Sequence, residues 1–309
     1  METFELAGYH GVALPAILWL PEEKPKLVLQ IAHGMTEHIG RYADFAGELT
    51  AQGIAVAGFD LRGHGRNAGS RAVASFGEGG WIASVEDMHL FFQRLEERFP
   101  HVPHVMLGFS LGSFLLREYL SRYPDGVAGA IIMGTGHQPG WLLSVMQSIV
   151  KGQIKKVGFD GYSPLVRQLS FGTYNQSFKP NRTEKDWLCA DCGQLDQFIA
   201  DPLCRDDFSA GLFYQMLGAM KRTCGKDACS AWNKGLPILL LSGQDDPVGD
   251  AGKGVQAVKR CMDQAGMERV TMHLLPGARH DVLHEEACGA ASKARQIILN
   301  WLDTQILQR

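Results

Sequence analysis

The stretch Gly108-Phe109-Ser110-Leu111-Gly112 sets a serine between two glycines where one apolar pattern gives way to another. Val105, Met106 and Leu107 before it read as a strand buried on both faces. Leu111, Phe114, Leu115 and Tyr119 after it keep a helical period. Turning from strand to helix within one residue crowds the backbone, so the positions two before and two after the serine must be small. The hydroxyl is then left at the tip of the turn, above a helix N-terminus. The bland alternative is a glycine-rich turn with a capping serine. The chemistry that the pattern predicts is nucleophilic attack by Ser110, which requires a base to take the hydroxyl proton and a carboxylate to orient that base.

In a strand–turn–helix arrangement of this kind the acid and then the histidine follow later in the chain, each on a loop after a strand. The apolar run 237–241 leads into Ser242-Gly-Gln-Asp245-Asp246-Pro-Val, and the run 270–275 leads into Pro276-Gly-Ala-Arg-His280. His280 is the candidate base, because His273 falls inside a strand and His284 at the start of the last helix. Asp245 and Asp246 are adjacent, and spacing does not separate them; one of the pair does no more than cap the turn before Pro247. A developing oxyanion needs two aimed donors. One is the backbone N–H of Leu111, and the other belongs to the loop after the strand at 27–32, near Met35, where Gly34 lets the backbone approach closely. His33 and Glu37 read as residues that bond within that loop.

The elements that must position these groups alternate. Residues 3–20 read as an opening hairpin, followed by strands at 27–32 and 54–59, with a helix at 41–52 between them stopped by Gly53. A helix spans 80–99, another follows Ser110, and 127–133 is the next strand. Strand and helix in alternation, with strands apolar throughout, predict an α/β fold with a parallel sheet covered on both faces. From 137 to 235 the alternation stops and the pattern is helical and loop-like. It resumes with strand 237–241, helix 251–265, strand 270–275 and helix 286–307. The expected organisation is therefore a core formed by 1–136 and 236–309, with 137–235 inserted over the C-terminal edge of the strands, where open α/β sheets bind ligands.

Composition narrows the function class. The chain has 309 residues, 45% hydrophobic and 20% charged, as in ordinary globular proteins. A formal charge of −3 offers no electrostatic reason to expect a nucleic-acid partner. No apolar stretch approaches the ~18 residues of a membrane-spanning segment. The first residues lack the basic start and apolar block of a signal peptide. Seven cysteines, an odd number, argue against a fully paired disulfide framework. A cytoplasmic location is expected. Cys189-Ala-Asp-Cys192 has a zinc-like spacing, but Cys224 and Cys229 do not supply the second close couple, so free or buried thiols are expected and no metal.

The motifs His33-Gly-Met-Thr-Glu-His38-x-x-Arg41-Tyr42, Asp60-Leu-Arg-Gly-His-Gly65, Gly108-Phe-Ser-Leu-Gly112, Ser242-Gly-Gln-Asp-Asp246-Pro-Val248 and Gly277-Ala-Arg-His280-Asp together resemble the monoglyceride lipase and lysophospholipase branch of the α/β-hydrolases. The resemblance runs through the whole core in order. It implies a mostly parallel eight-stranded sheet with helices on both faces and an inserted helical cap. It implies Asp246 as the acid, His280 as the base, and the amides of Met35 and Leu111 as the oxyanion donors. It implies no cofactor and a small acyl-ester substrate such as a monoacylglycerol or lysophospholipid, with transient contact with lipid left open and the oligomeric state undetermined. The family's cap covers an apolar acyl channel, to which the run from Trp141 to Val150 and Phe171, Tyr174 and Phe178 correspond; Gly34, Phe109, Trp141 and Tyr174 are the expected substrate contacts. Close lipase relatives carry a histidine before the serine and a methionine after it. Here these are Phe109 and Leu111, a departure that bears on the substrate and not on the reaction. The rivals are an aminopeptidase on the same fold, which would use cap acids such as Asp191, Asp196, Asp201, Asp206 and Asp207 to hold an ammonium group, and a binding protein that retains the fold. A dehalogenase would need a carboxylate where Ser110 stands.

Overall fold

The structure, a computed structural model, describes residues 1–69, 73–225 and 227–308. Its strands are β1 (Glu2–Ala7), β2 (Ala13–Trp19), β3 (Leu27–Ala32), β4 (Ile54–Phe59), β5 (Val73–Ala74), β6 (His104–Phe109), β7 (Gly129–Met133), β8 (Asp207–Phe208), β9 (Ile238–Gly243) and β10 (Val270–Leu275). Eight of them form one sheet in the order β1-β2-β4-β3-β6-β7-β9-β10. β1 and β2 pair antiparallel, as do β2 and β4, and every other neighbour is parallel. The expected mostly parallel eight-stranded sheet is therefore present. β3, β4, β6, β7 and β9 are buried at every residue, which is why they read as unbroken apolar runs.

The helices are α1 (Ala43–Ala51), α2 (Gly80–Arg98), α3 (Leu111–Arg122), α4 (Gly140–Val157), α5 (Pro164–Phe171), α6 (Cys192–Ala200), α7 (Ala210–Thr223), α8 (Lys253–Gln264) and α9 (Ala290–Leu302). On one face of the sheet Tyr42, Phe45, Ile298 and Trp301 pack with the β-strand residues Leu29, Leu107 and Leu239. On the other, Phe91, Phe114, Leu115 and Tyr119 pack with Val28, Met106 and Leu240. Each such side chain, fully buried, contributes ~1.5–3 kcal/mol. Between β7 and β9 the chain leaves the sheet and builds α4 to α7, with α4 lying along α7. Side-chain caps at Ser163, Asp191 and Ser209 start α5, α6 and α7 by accepting from backbone N–H groups.

Several expected boundaries shift for local reasons. The helix expected from 251 begins at Lys253, because Asp250 and Ala251 both have φ of 50° and Gly252 caps the helix. The last helix begins at Ala290, after Gly289 with φ 67°, and widens into a π turn at Asp303–Leu307. The stretch 137–235 does contain a strand, Asp207–Phe208, paired with Val73–Ala74. Two residues have no periodicity to detect.

Candidate active site

The turn at Ser110 is built by its glycines. Ser110 has φ 49° and ψ −112°, a strained conformation for a residue with a side chain. A Cβ on Gly108 would overlap the Gly112 carbonyl, and one on Gly112 would overlap the carbonyl of Ala32. The Ser110 N–H donates to the Met133 carbonyl at 2.9 Å, and Ser113 Oγ donates to the Ser110 carbonyl at 2.6 Å, which fixes the turn from both sides. Ser110 itself lines a cleft.

Strand register sets the loop opposite. Ala32 of β3 lies against Gly108 of β6, so residues 33–37 leave the sheet beside Phe109 and Ser110. β3 and β6 flank the point where the strand order reverses, the place where open α/β sheets bind ligands. The loop is fastened by Glu37, whose Oε1 accepts from the Gly34 N–H at 2.5 Å and from the Tyr42 hydroxyl at 2.9 Å and whose Oε2 pairs with Arg41. Arg41 also donates to Asp281 Oδ2 at 2.9 Å, and Asp281 Oδ1 accepts from His284 Nδ1 at 2.8 Å. Burial alone would raise the Asp281 carboxyl, but His284 and Arg41 hold it well below the usual range. His33 Nε2 accepts from the Leu61 N–H at 2.9 Å, so its Nδ1 carries the proton and donates to the Gly34 carbonyl at 2.8 Å. Among the described residues, neither the Met35 nor the Leu111 amide donates to an acceptor of the chain.

A second pair of strand ends supplies the acid and the histidine. Gly243 of β9 lies against Leu275 of β10, so the loops carrying Asp246 and His280 emerge side by side. His280 Nδ1 lies 2.9 Å from Asp246 Oδ2 with both side chains buried. Because a carboxylate only accepts, Nδ1 carries the ring proton and Nε2 keeps its lone pair. Asp246 is oriented by Ser242 Oγ at 3.1 Å and by the Val248 N–H at 2.8 Å. Burial pulls the imidazole pKa down, but the adjacent Asp246 carboxylate outweighs it and leaves the value raised. The rings of Phe109 and Trp187 flank the imidazole at 4.9 and 5.3 Å between centroids. Asp245, by contrast, is exposed, and His273 is exposed on β10.

The structure brings Gly34, Met35, Phe109, Ser110, Tyr174 and His280 to one cleft. Trp141 is not among them: it is 70% exposed on the outer face of α4. Helix α4 turns Leu143 and Met146 inward instead, toward a second chamber. The two chambers share Phe114, Tyr174, Phe213, Met216 and Val248. Desolvation, with Asp246 nearby, pushes the Tyr174 hydroxyl far up, so it stays a neutral phenol. Phe213, Met216 and Trp187 carry no signal in the sequence, because residues of the 137–235 stretch have no register with the core that spacing can report. Val248, two residues beyond Asp246, lies within the acid motif itself.

Charged groups edge the first cleft in pairs. Arg167 bonds Glu184 at 2.7 Å and Asp207 at 2.8 Å, and Lys185 bonds Asp206 at 3.1 Å. All seven cysteines are free. His38, Asp201 and Cys204 approach one another within 4.8 Å, a set that invites a metal reading. His38 Nδ1, however, accepts from the Gly40 N–H at 3.2 Å, so the proton sits on Nε2, which donates to Asp201 at 2.8 Å. In this tautomer that nitrogen has no lone pair to offer a metal. No helix among the described residues is long and apolar enough to cross a membrane.

The family described as serine aminopeptidase, S33 matches residues 23–287. The monoglyceride lipase homolog of Monkeypox virus is 34% identical over 290 residues, covering 93% of each chain. The monoacylglycerol lipase of Mycolicibacterium smegmatis is 25% identical over 286 residues, covering 90% of each. Among solved structures, a highly thermostable carboxyl esterase from Bacillus coagulans, in complex with glycerol, superposes with a TM-score of 0.87 at 23% identity, covering 99% of this chain and 98% of that one.

Proposed function

The chain belongs to the serine aminopeptidase, S33 family, within the α/β-hydrolase fold, and from that premise we propose that it is a carboxylic ester hydrolase working through Ser110, His280 and Asp246. The observation that carries this reading is the buried His280–Asp246 contact of 2.9 Å, opening onto the same cleft as the strained Ser110 turn. In this mechanism Ser110 Oγ attacks the ester carbonyl while His280 Nε2 takes its proton, and Asp246 stabilises the resulting imidazolium. The Met35 and Leu111 N–H groups receive the oxyanion, assisted by the N-terminus of α3. The proton passes to the leaving alcohol, and water, deprotonated by the same imidazole, releases the acyl group.

The substrate is read from the two chambers. The second is walled by Leu142, Leu143, Met146, Leu217 and Met220, which suits an acyl chain. The edge of the first bears cations that are already neutralised by Glu184, Asp206 and Asp207. With those cations already paired, little net positive charge is left there to attract a phosphate-bearing head group, and a neutral polyol needs none. Monoacylglycerol is therefore favoured over lysophospholipid. The relatives' names, monoacylglycerol lipase and monoglyceride lipase homolog, point the same way. The aminopeptidase reading has less support, since Asp196, Asp201, Asp206 and Asp207 are each paired with a cation or histidine and Asp191 caps α6. The test is a panel of p-nitrophenyl esters from acetate to palmitate beside aminoacyl anilides, with a fluorophosphonate label located by mass spectrometry. Labelling at Ser110 and turnover of acyl esters is expected. Turnover of anilides alone replaces the substrate class, and absence of both label and turnover overturns the reading.

A further inference from the structure

Arg117 is the largest fully buried side chain among the described residues, 1% exposed, and lies on α3 seven residues after Ser110. Among the described residues no carboxylate pairs with it. Its guanidinium is spent on the two places where the chain crosses between the sheet and helices α4 to α7. Nη1 donates to Thr135 Oγ1 at 3.3 Å and to the Gly136 carbonyl at 3.1 Å, where the chain leaves β7 for α4. Nη2 donates to the Thr223 carbonyl and to Cys224 Sγ, the latter at 3.3 Å, where the chain comes back from α7. Thr223 ends α7, so the cation also sits at the negative end of a helix dipole, which compensates its charge without a counter-ion. The two crossings meet each other as well: His137 Nε2 lies 3.0 Å from the Cys224 carbonyl.

One side chain on the nucleophile's own helix thus ties together both crossings.

We propose that Arg117 is a positioning residue that sets how the α4–α7 layer sits over Ser110, and so governs the reaction of long acyl chains while leaving short ones nearly unaffected. The inference rests on the ester-hydrolase reading above. Its physical reason is the division of labour between the chambers. An acetyl group reaches only the cleft floor at Phe109, Ser110 and His280, which the sheet loops hold, whereas a long chain must lie along α4 and α7. Releasing both crossings lets that wall shift by a fraction of an ångström, and misplacement of bound substrate on that scale costs rate steeply.

The test is Arg117→Met, which keeps the length and removes every donor, assayed on p-nitrophenyl acetate and laurate with hydrogen exchange at 134–138 and 221–225. The wild-type protein is labelled with fluorophosphonate first; absence of label and turnover there overturns the ester-hydrolase reading and this proposal with it. With the wild type active, the variant is expected to lose about tenfold or more in kcat/KM on laurate, mostly as a raised KM, to stay within about threefold on acetate, and to exchange faster at both crossings. Arg117→Lys, which retains charge and can reach one crossing, is expected to fall between; if Arg117→Met does not fold, the laurate-to-acetate ratio of the lysine variant decides. A parallel loss on both esters, or an unchanged ratio, overturns the positioning role.

Discussion

Replacing Asp246 by asparagine tests the centre of the proposed mechanism in both rate and pH. Asp246 Oδ1 accepts from the Val248 N–H at 2.8 Å, and Oδ2 accepts from His280 Nδ1 at 2.9 Å and Ser242 Oγ at 3.1 Å. An asparagine must keep its oxygen on the Val248 amide, which has no other acceptor on this side chain, and so turns its NH2 toward His280. Nδ1 then has to accept, the ring proton moves to Nε2, and the nitrogen that should take the Ser110 proton becomes a donor. Loss of the orienting carboxylate in the serine-protease template costs about ten-thousandfold in turnover, ~5.4 kcal/mol of barrier, and the same order is expected here. The pH profile supplies a second, signed readout. Burial lowers the imidazole pKa and the Asp246 carboxylate raises it further than burial lowers it, so kcat/KM should fall as pH drops through a value above the ordinary ~6.5. In Asp246→Asn the burial is opposed only by the lesser influence of Asp281 and Glu37, and the residual activity should keep its acid limb at lower pH than the wild type. The assay is initial rates on p-nitrophenyl butyrate from about pH 5 to 9 beside Asp245→Asn, whose exposed side chain should leave kcat/KM within about twofold. A loss smaller than about tenfold for Asp246→Asn, a larger loss for Asp245→Asn, or an acid limb that moves up would each refute the reasoning.

Other expectations rest on the same geometry. Ser110→Ala should abolish turnover and labelling, and Ser110→Gly should do the same while raising Tm above that of the alanine variant, since relief of the φ 49° backbone is worth about 1 kcal/mol or more. Gly112→Ala, whose Cβ meets the Ala32 carbonyl, should destabilise by at least ~1–3 kcal/mol in urea unfolding and lower activity with it. Asp281→Asn leaves buried Arg41 with Glu37 alone and should cost about 3–5 kcal/mol near neutral pH. Because His284 and Arg41 depress the folded pKa of Asp281 against its burial, its contribution is present above the unfolded value of ~3.9 and lost as pH falls through the folded one. The variant should therefore show a flatter stability profile below about pH 4, and an unchanged acid limb in a chemical-denaturation series would contradict the assignment.

Much of this molecule is legible along the chain, because the features concerned are local. The buried strands announce themselves as apolar runs, since a parallel sheet covered on both faces has no polar side. The glycines around Ser110 are dictated by the crowding of a one-residue turn from strand to helix, a constraint contained within five positions. The acid and histidine loops are found by counting strands. What spacing left undivided, the adjacent carboxylates of Asp245 and Asp246, is divided by tertiary structure, which buries one against His280 and leaves the other in solvent. The same holds for Trp141, an apolar residue on an apolar helix that faces outward, while Leu143 and Met146 of that helix face the chamber. A helix's period says that it has a face, not where the face points. Arg117 is the clearest case: in sequence it is one arginine on a helix, and only the return of the chain after more than a hundred residues brings the Thr223 and Cys224 groups to its guanidinium. Residues that share a turn report their constraint to one another through the backbone, whereas residues that meet across the fold are constrained by packing that no local pattern carries.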